Sequence, residues 1–198
     1  MENDRSEDDG APVLDAAMEH FWRFGYGGSS MRDLLTATGS NRAALYTGYG
    51  GKAGLFEVCL RAYDARVVSP AFARVEASGA GMDAIASYFE HQIAYAETVG
   101  LPGPGCLIAN TMTERAPHNA SVRAQVSAHL DRLRSGFRHA LGNAAAPGTA
   151  PETLDALADF LTISAQGLWS HSRQVSDAAP LRAHARTLLT LIEPRLTP

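Results

Sequence analysis

The sequence has only two cysteines, Cys59 and Cys106, and they lack the close spacing of a metal-binding or disulfide-rich domain. It has no run of about 18 apolar residues, which a membrane-spanning helix requires. It also has no charged and then apolar start of the kind that marks a signal peptide. We therefore expect reduced thiols and a cytoplasmic protein without a membrane partner.

Sequence motifs of catalysis are missing as well. The chain has no nucleophile elbow, no glycine-rich phosphate loop and no HExxH pair of zinc ligands. Glu114 and His118 have the spacing of two ligands on one helix, but Pro117 stands between them and would break that helix. We expect no enzyme activity, no cofactor and no metal site.

Charge is scarce outside the N-terminus. Charged side chains make up 19% of the 198 residues, and the net charge is -4. The first nine residues hold five acids and one arginine, so the rest of the chain is neutral by formal count. Such a chain is no sequence-blind polycation, and any contact with nucleic acid must be local and specific. We expect residues 1–10 to form a disordered acidic tail.

Helical periodicity is what the sequence has in abundance. Apolar residues recur at intervals of three and four in one segment after another, and loops rich in glycine and proline separate the segments at 78–81, 100–105 and 142–151. With 45% apolar residues, the chain can bury a sizeable core but is too short for more than two domains. This pattern predicts an all-α protein.

Two short helices joined by a tight turn follow the first predicted helix. Ser29 or Ser30 can cap the first of them, which should end where Gly39 tolerates the left-handed conformation. Asn41 can cap the second, which should end before Gly48. The spacing is that of a helix-turn-helix, although a helical hairpin inside a core would share it.

The second helix of such a pair can enter the DNA major groove with its N-terminal residues on base edges. Arg42 stands at that end and can offer paired donors to a guanine. Nearby hydroxyl, amide and ammonium groups can bind phosphate oxygens. The predicted DNA-binding residues are Ser29, Ser30, Met31, Asn41, Arg42, Ala43, Tyr46, Thr47 and Lys52.

Several linked motifs in residues 13–56 resemble the N-terminal domain of TetR-family transcriptional regulators. They are Phe21-x-x-x-Gly25-Tyr26, Ser29-Ser30-Met31-x-Asp33-Leu34, Leu45-Tyr46 and Lys52-x-x-Leu55-Phe56. The sequence departs from the family at Ala43, where glycine is common, and at Gly48 and Tyr49, where an aromatic residue or histidine and then phenylalanine are usual. The missing side chain at Gly48 removes one contact that the family would make.

The resemblance implies a three-helix helix-turn-helix domain over residues 11–56 and a helical ligand-binding and dimerisation domain over 57–198, with about nine helices in all. It implies a dimeric repressor or activator that leaves a palindromic operator when a small molecule binds, and of the two we expect a repressor. A helical small-molecule-binding or redox-sensing protein of the same fold, with weak or no DNA binding, is the alternative.

The last two predicted helices, near residues 154–168 and 181–196, are amphipathic. The first of them has a second apolar row, made by Phe160, Ile163 and Gly167. Two such helices from each subunit can form a four-helix interface, so we expect a homodimer that joins through them.

The middle helices mix aromatic bulk with a few polar groups, as small-molecule cavities do. The predicted ligand-binding residues, for each of which core packing is the alternative role, are Tyr88, Phe89, Gln92, Tyr95, Cys106, Asn110, Met112, Phe137, Gln166, Trp169 and Ser170. Cys106 follows Gly103-Pro104-Gly105 near a predicted helix start, where backbone amides favour a thiolate. A sensor of oxidants or electrophiles is one hypothesis for this thiol, and an inert buried cysteine is the other.

Overall fold

The computed structural model describes residues 10–196. Within that range the chain forms ten α-helices and no β-strand. The helices are α1 (Gly10–Phe24), α2 (Met31–Thr38), α3 (Arg42–Tyr49), α4 (Lys52–Tyr63), α5 (Ser69–Glu76), α6 (Met82–Val99), α7 (Leu107–Glu114), α8 (Ala120–Ala144), α9 (Pro151–His171) and α10 (Ala179–Leu196). The all-α prediction is confirmed. Apart from Gly10, which opens α1, the predicted acidic tail lies outside the described residues.

Short irregular segments interrupt the helices where proline intervenes. A π-helical turn, Asp64–Val68, joins α4 to α5, so the chain is helical without a break from 52 to 76. When that stretch is counted as one helix, the ten α-helices of the described chain form nine α-helical segments. The π-helical turn was not among the elements predicted from the sequence. Pro70 lacks an N–H and its ring crowds the preceding turn, so a regular α-helical bond to the carbonyl of Arg66 is impossible. A 3-10 turn, Ala116–His118, surrounds Pro117 in the same way.

The chain divides into two compact units. The first comprises the residues up to Arg66 together with Leu107–Val126, and the second comprises Val67–Cys106 together with the residues from Ser127 onward. The predicted DNA-binding domain, residues 11–56, lies in the first unit. That unit also takes α4, α7 and the start of α8 from the part of the chain predicted to bind ligand.

In the first unit, α1 packs against α2 and α4, and α3 and α7 pack against α4. Phe21 and Phe56 are fully buried and meet edge to face, with their ring centroids 4.9 Å apart. Leu34 of α2 and Leu45 of α3 are buried as well. Each such side chain contributes about 1.5–3 kcal/mol through its burial, and together they fix the helix-turn-helix on α1 and α4.

In the second unit, α6 packs against α5 and α10, and α10 packs against α9. Its core is an aromatic cluster in which Phe72, Tyr88 and Phe137 meet edge to face. Arg132 of α8 grips the carboxylate of Glu76 with two bonds of 2.7 Å, and this pair ties α8 to the end of α5. No helix of the described chain is long and apolar enough to cross a membrane.

Candidate DNA-binding and effector-binding sites

The start of α2 is fixed by a capping box. The Asp33 backbone N–H donates to the Ser30 hydroxyl oxygen (3.2 Å), and the Ser30 N–H donates to the Asp33 carboxylate (2.9 Å). Hydrogen bonds from the side chain and from the backbone N–H of Ser30 to the Asp33 carboxylate hold the pKa of Asp33 below its usual value. The helix ends at Gly39, whose φ of 63° is left-handed. The predicted limits of α2 are confirmed, with Ser30 as the cap.

A side-chain cap also starts α3. The Asn41 carbonyl oxygen accepts a bond from the backbone N–H of Ala44 (2.9 Å), as predicted. The predicted end before Gly48 is wrong, because the helix continues through Gly48 to Tyr49. Gly50 takes the left-handed conformation instead, with a φ of 72°, and its N–H donates to the Tyr46 carbonyl.

Helix α3 buries only one side chain in its own unit. Leu45 is buried, whereas the other predicted contact residues of this helix are exposed, Tyr46 by 52%. A helix of a core hairpin would bury a full apolar stripe. The hairpin alternative is therefore excluded, and the N-terminal end of α3, with Asn41 and Arg42, faces solvent.

Three predicted DNA-binding residues at the edge of this surface differ in their exposure. Ser30 is exposed, and its hydroxyl oxygen accepts the bond that caps α2. Ser29 is fully buried, and its hydroxyl donates to the carbonyl of Gly25 (2.6 Å), so we correct its prediction as a phosphate-binding residue. Lys52 is half-buried with its ammonium 4.1 Å from the centroid of the Tyr26 ring, and burial lowers its pKa.

The turn between α1 and α2 holds a contact that the sequence analysis missed. The carboxylate of Glu114, at the end of α7, accepts bonds from the backbone N–H groups of Tyr26 (3.0 Å) and Gly27 (2.6 Å). Arg115 lies over the Tyr26 ring at 4.5 Å. In the sequence, the spacing of Glu114 and His118 suggested only a pair of metal ligands. No local signal indicated that Glu114 would bind the backbone of Gly27, 87 residues away.

Five of the predicted ligand-binding residues come together in the core of the second unit. Tyr88 and Trp169 meet edge to face, with their ring centroids 6.4 Å apart. Burial raises the pKa of Tyr88, and the neighbouring Cys106 adds to the rise. Phe89 and Phe137 stack with centroids 6.2 Å apart.

Gln166 differs from the rest of the predicted set. It is only 9% exposed, and neither its amide nitrogen nor its amide oxygen has a hydrogen-bond partner among the described residues. Buried polar side chains are nearly always hydrogen-bonded, so this amide is an exception within the unit. Gln166 precedes Trp169 by three residues and lies on the same face of α9.

The remaining predicted ligand-binding residues lie apart from this core. Tyr95 is 41% exposed and Ser170 is exposed, so we remove both from the candidate site. Gln92 is half-buried on α6. Asn110 and Met112 are half-buried on α7 and belong to the first unit.

The fold and the exposed α3 define a class: an all-α, helix-turn-helix DNA-binding protein with a second helical unit. The family model described as "Bacterial regulatory proteins, tetR family" matches residues 13–59. The model described as "Tetracyclin repressor-like, C-terminal domain" matches residues 81–188, more than half of the chain. The chain belongs to the TetR family of transcriptional regulators. It is a DNA-binding transcriptional regulator of the helix-turn-helix type.

Two bacterial regulators are similar over nearly the whole chain. The HTH-type transcriptional regulator YezE of Bacillus subtilis is 29% identical over 194 residues, which cover 94% of this chain and 97% of YezE. The HTH-type transcriptional repressor ComR of Escherichia coli is 29% identical over 182 residues, covering 90% of this chain and 86% of ComR.

Solved structures share the fold. A cysteine mutant of the TetR-family regulator CifR, crystallised with 26-bp double-strand operator DNA, superposes with a TM-score of 0.71. The match covers 99% of this chain and 97% of CifR, at 23% identity. At this identity the likeness concerns the fold.

Proposed function

We propose that this regulator is a repressor whose homodimer places two copies of α3 in the major groove of a palindromic operator and leaves the DNA when a small molecule binds. The exposure of α3 carries this proposal, because Leu45 is its only buried side chain and its N-terminal residues are open to a partner. ComR, a relative, is described as a repressor, and CifR was crystallised on operator DNA. Half-sites one DNA turn apart, about 34 Å, or a multiple of that, fit two-fold symmetry.

Base contacts in this proposal come from the N-terminal end of α3. Arg42 is exposed there and can donate two bonds to the N7 and O6 atoms of guanine. The Asn41 oxygen is used by the cap, which leaves its amide nitrogen to donate to DNA. Ala43 offers a methyl group for apolar contact with thymine. The hydroxyls of Ser30, Tyr46 and Thr47 are placed for phosphate oxygens.

A binding assay on DNA from upstream of the gene tests the DNA-binding part. We expect Arg42→Ala to weaken operator affinity about 5- to 150-fold, the equivalent of one lost bidentate base contact. Arg186→Ala is the matched control, since Arg186 is an exposed arginine of α10 in the second unit, and it should leave affinity unchanged. Equal affinities for wild type and Arg42→Ala would remove the proposed contact surface.

For the effector, we propose a site in the second unit beside Tyr88 and Trp169, with Gln166 as its polar anchor. The unpartnered amide of Gln166 supports this, because an amide offers both a donor and an acceptor. A small, largely apolar molecule with one carboxamide edge would satisfy both. A thermal-shift screen of small carboxamides against wild type and Gln166→Leu tests it, with stabilisation expected for wild type only.

Oxidation of Cys106 is a second candidate for the releasing signal, favoured by the position of this thiol directly before α7 and beside Tyr88. A peroxide would convert the thiol to a sulfenic acid and release water. If Cys106→Ser left the operator at the same peroxide dose as wild type, this candidate would be wrong. We place the regulator in the cytoplasm, where its DNA is, and assign it no catalytic role.

A further inference from the structure

The turn that joins α1 to the helix-turn-helix is held by one carboxylate. Glu114 uses both oxygens: Oε1 accepts from the Gly27 N–H at 2.6 Å, and Oε2 accepts from the Tyr26 N–H at 3.0 Å. Bonds to an ionised acceptor are shorter and stronger than those between neutral groups. Two bonds from consecutive backbone groups also fix the orientation of the turn relative to the end of α7, all within the first unit.

The turn has the residues that let the carboxylate approach this closely. A Cβ atom added to Gly25 would lie 2.8 Å from Oε2 of Glu114, and one added to Gly27 would lie 3.0 Å from Oε1. Gly25 also has a φ of 74°, which side-chain-bearing residues rarely adopt. Both glycines therefore fit the contact with Glu114.

Two cations reinforce the contact through Tyr26. The ammonium of Lys52, the first residue of α4, lies 4.1 Å from the ring centroid, and the guanidinium of Arg115 lies 4.5 Å from it. The ring also meets Phe56 edge to face at 5.1 Å. Tyr26 thus links the end of α7 with α4, the helix on which α3 packs.

The same turn sets where α2 begins. The Ser29 hydroxyl donates to the Gly25 carbonyl, and the next residue, Ser30, is the cap of α2. At its other end, α7 directly follows Cys106, where the chain passes from the second unit into the first. Helix α7 is therefore joined covalently to the second unit at its start and bonded to the helix-turn-helix turn at its end.

We propose that Glu114 is a positioning residue that holds the helix-turn-helix in register with α7, so that a displacement of α7 moves α2 and α3. A shift of about 1 Å breaks hydrogen bonds of this length, which makes the link sensitive to small movements. Its readout in DNA affinity rests on the proposed function. Because the Glu114 side chain is exposed, its removal should cost little folding free energy and act mainly through geometry.

The test compares Glu114→Ala and Glu114→Gln with wild type. Glu57→Gln is the matched control, since the Glu57 carboxylate also joins two helices of the first unit, through a 2.7 Å bond from the Ser121 hydroxyl. Amide hydrogen exchange at Tyr26 and Gly27, operator affinity and the thermal midpoint are measured for all four proteins. The hydrogen-exchange measurement requires no DNA.

In Glu114→Ala we expect exchange at the Tyr26 and Gly27 amides to rise about tenfold or more, operator affinity to fall about tenfold, and the thermal midpoint to stay within about 3 °C of wild type. For Glu114→Gln, amide exchange and operator affinity should lie between those of wild type and Glu114→Ala, because the single amide oxygen of glutamine can still accept a hydrogen bond. Glu57→Gln should match wild type in exchange at the turn and in affinity.

Two results would overturn the proposal. One is unchanged exchange at both amides in the Ala and Gln variants, which would mean that Glu114 does not hold the turn. The other is raised exchange with wild-type operator affinity, which would make the contact structural only. Failure of the proposed function is recognised separately, because Arg42→Ala would then bind DNA as wild type does.

Discussion

Tyr88 and Trp169 meet edge to face inside the second unit, with their ring centroids 6.4 Å apart. Gln166 lies one turn before Trp169 on α9 and is only 9% exposed. Its side-chain amide has no hydrogen-bond partner among the described residues. The amide of Gln166 therefore has bonding capacity left for an effector.

Replacing Gln166 by leucine should stabilise the effector-free protein. A buried polar group without a partner costs about 1–3 kcal/mol, and an apolar side chain of similar size avoids that cost. We expect the thermal midpoint to rise by at least about 2 °C at fixed protein concentration. Gln174→Leu, at an exposed position, should change it little. A lower midpoint for Gln166→Leu would show that the amide is already satisfied.

A charge in the second apolar row of α9 should separate the dimer. Phe160, Ile163 and Gly167 are exposed in the single chain, Ile163 by 72%, as is Leu191 of α10. Because an interface between the last two helices would bury this row, Ile163→Glu would place an unpaired charge there. Light scattering after size exclusion should report a monomer for Ile163→Glu and a dimer for Ala128→Glu, an exposed position of α8. A dimeric Ile163→Glu protein would place the interface elsewhere.

Two substitutions at Asn41 should separate the cap from the DNA contact. Asn41→Ala removes the cap and should cost about 0.5–2 kcal/mol of stability. Asn41→Asp keeps the cap, so its thermal midpoint should match wild type, but its negative charge would face phosphates and weaken operator binding. Thermal melts and binding titrations at two salt concentrations measure both effects. Unchanged operator affinity in Asn41→Asp would mean that this end of α3 does not face DNA.

The thiol of Cys59 should be inert in the folded protein. Cys59 is fully buried, and burial raises its pKa to about 12, while the thiolate is the reactive form. At pH 8 roughly one molecule in ten thousand would carry that thiolate. In a Cys106→Ser background, iodoacetamide should label Cys59 only after denaturation. Labelling of the native protein within minutes would contradict the burial of this thiol.

Much of the DNA-binding surface could be predicted because its signals are local. The Ser30 and Asn41 caps act on residues three positions ahead, and Gly39 ends α2 through its own backbone freedom. Gly48 misled the prediction for a related reason. A glycine weakens a helix without having to end it. Helix α3 therefore continues past Gly48, and Gly50 takes the left-handed conformation that ends it.

The predicted ligand-binding residues show that residue type alone does not predict which side chains are buried. Tyr88 and Tyr95 are two turns apart on one face of α6, yet Tyr88 is buried and Tyr95 is exposed. Their burial depends on which other helices cover each turn, and no property of α6 alone records that. Ser29 was misassigned for the same reason, since packing alone buried its hydroxyl.

The order of helices, their caps and the helix-turn-helix were determined by the sequence itself, because bonds between residues three or four apart leave a spacing that can be read. Only the tertiary structure decided that Glu114 would bind a turn 87 residues away and that the amide of Gln166 would be buried with no hydrogen-bond partner in the described part of the chain. Contacts between distant segments depend on how helices pack, and the spacing of residues along the chain carries no trace of them.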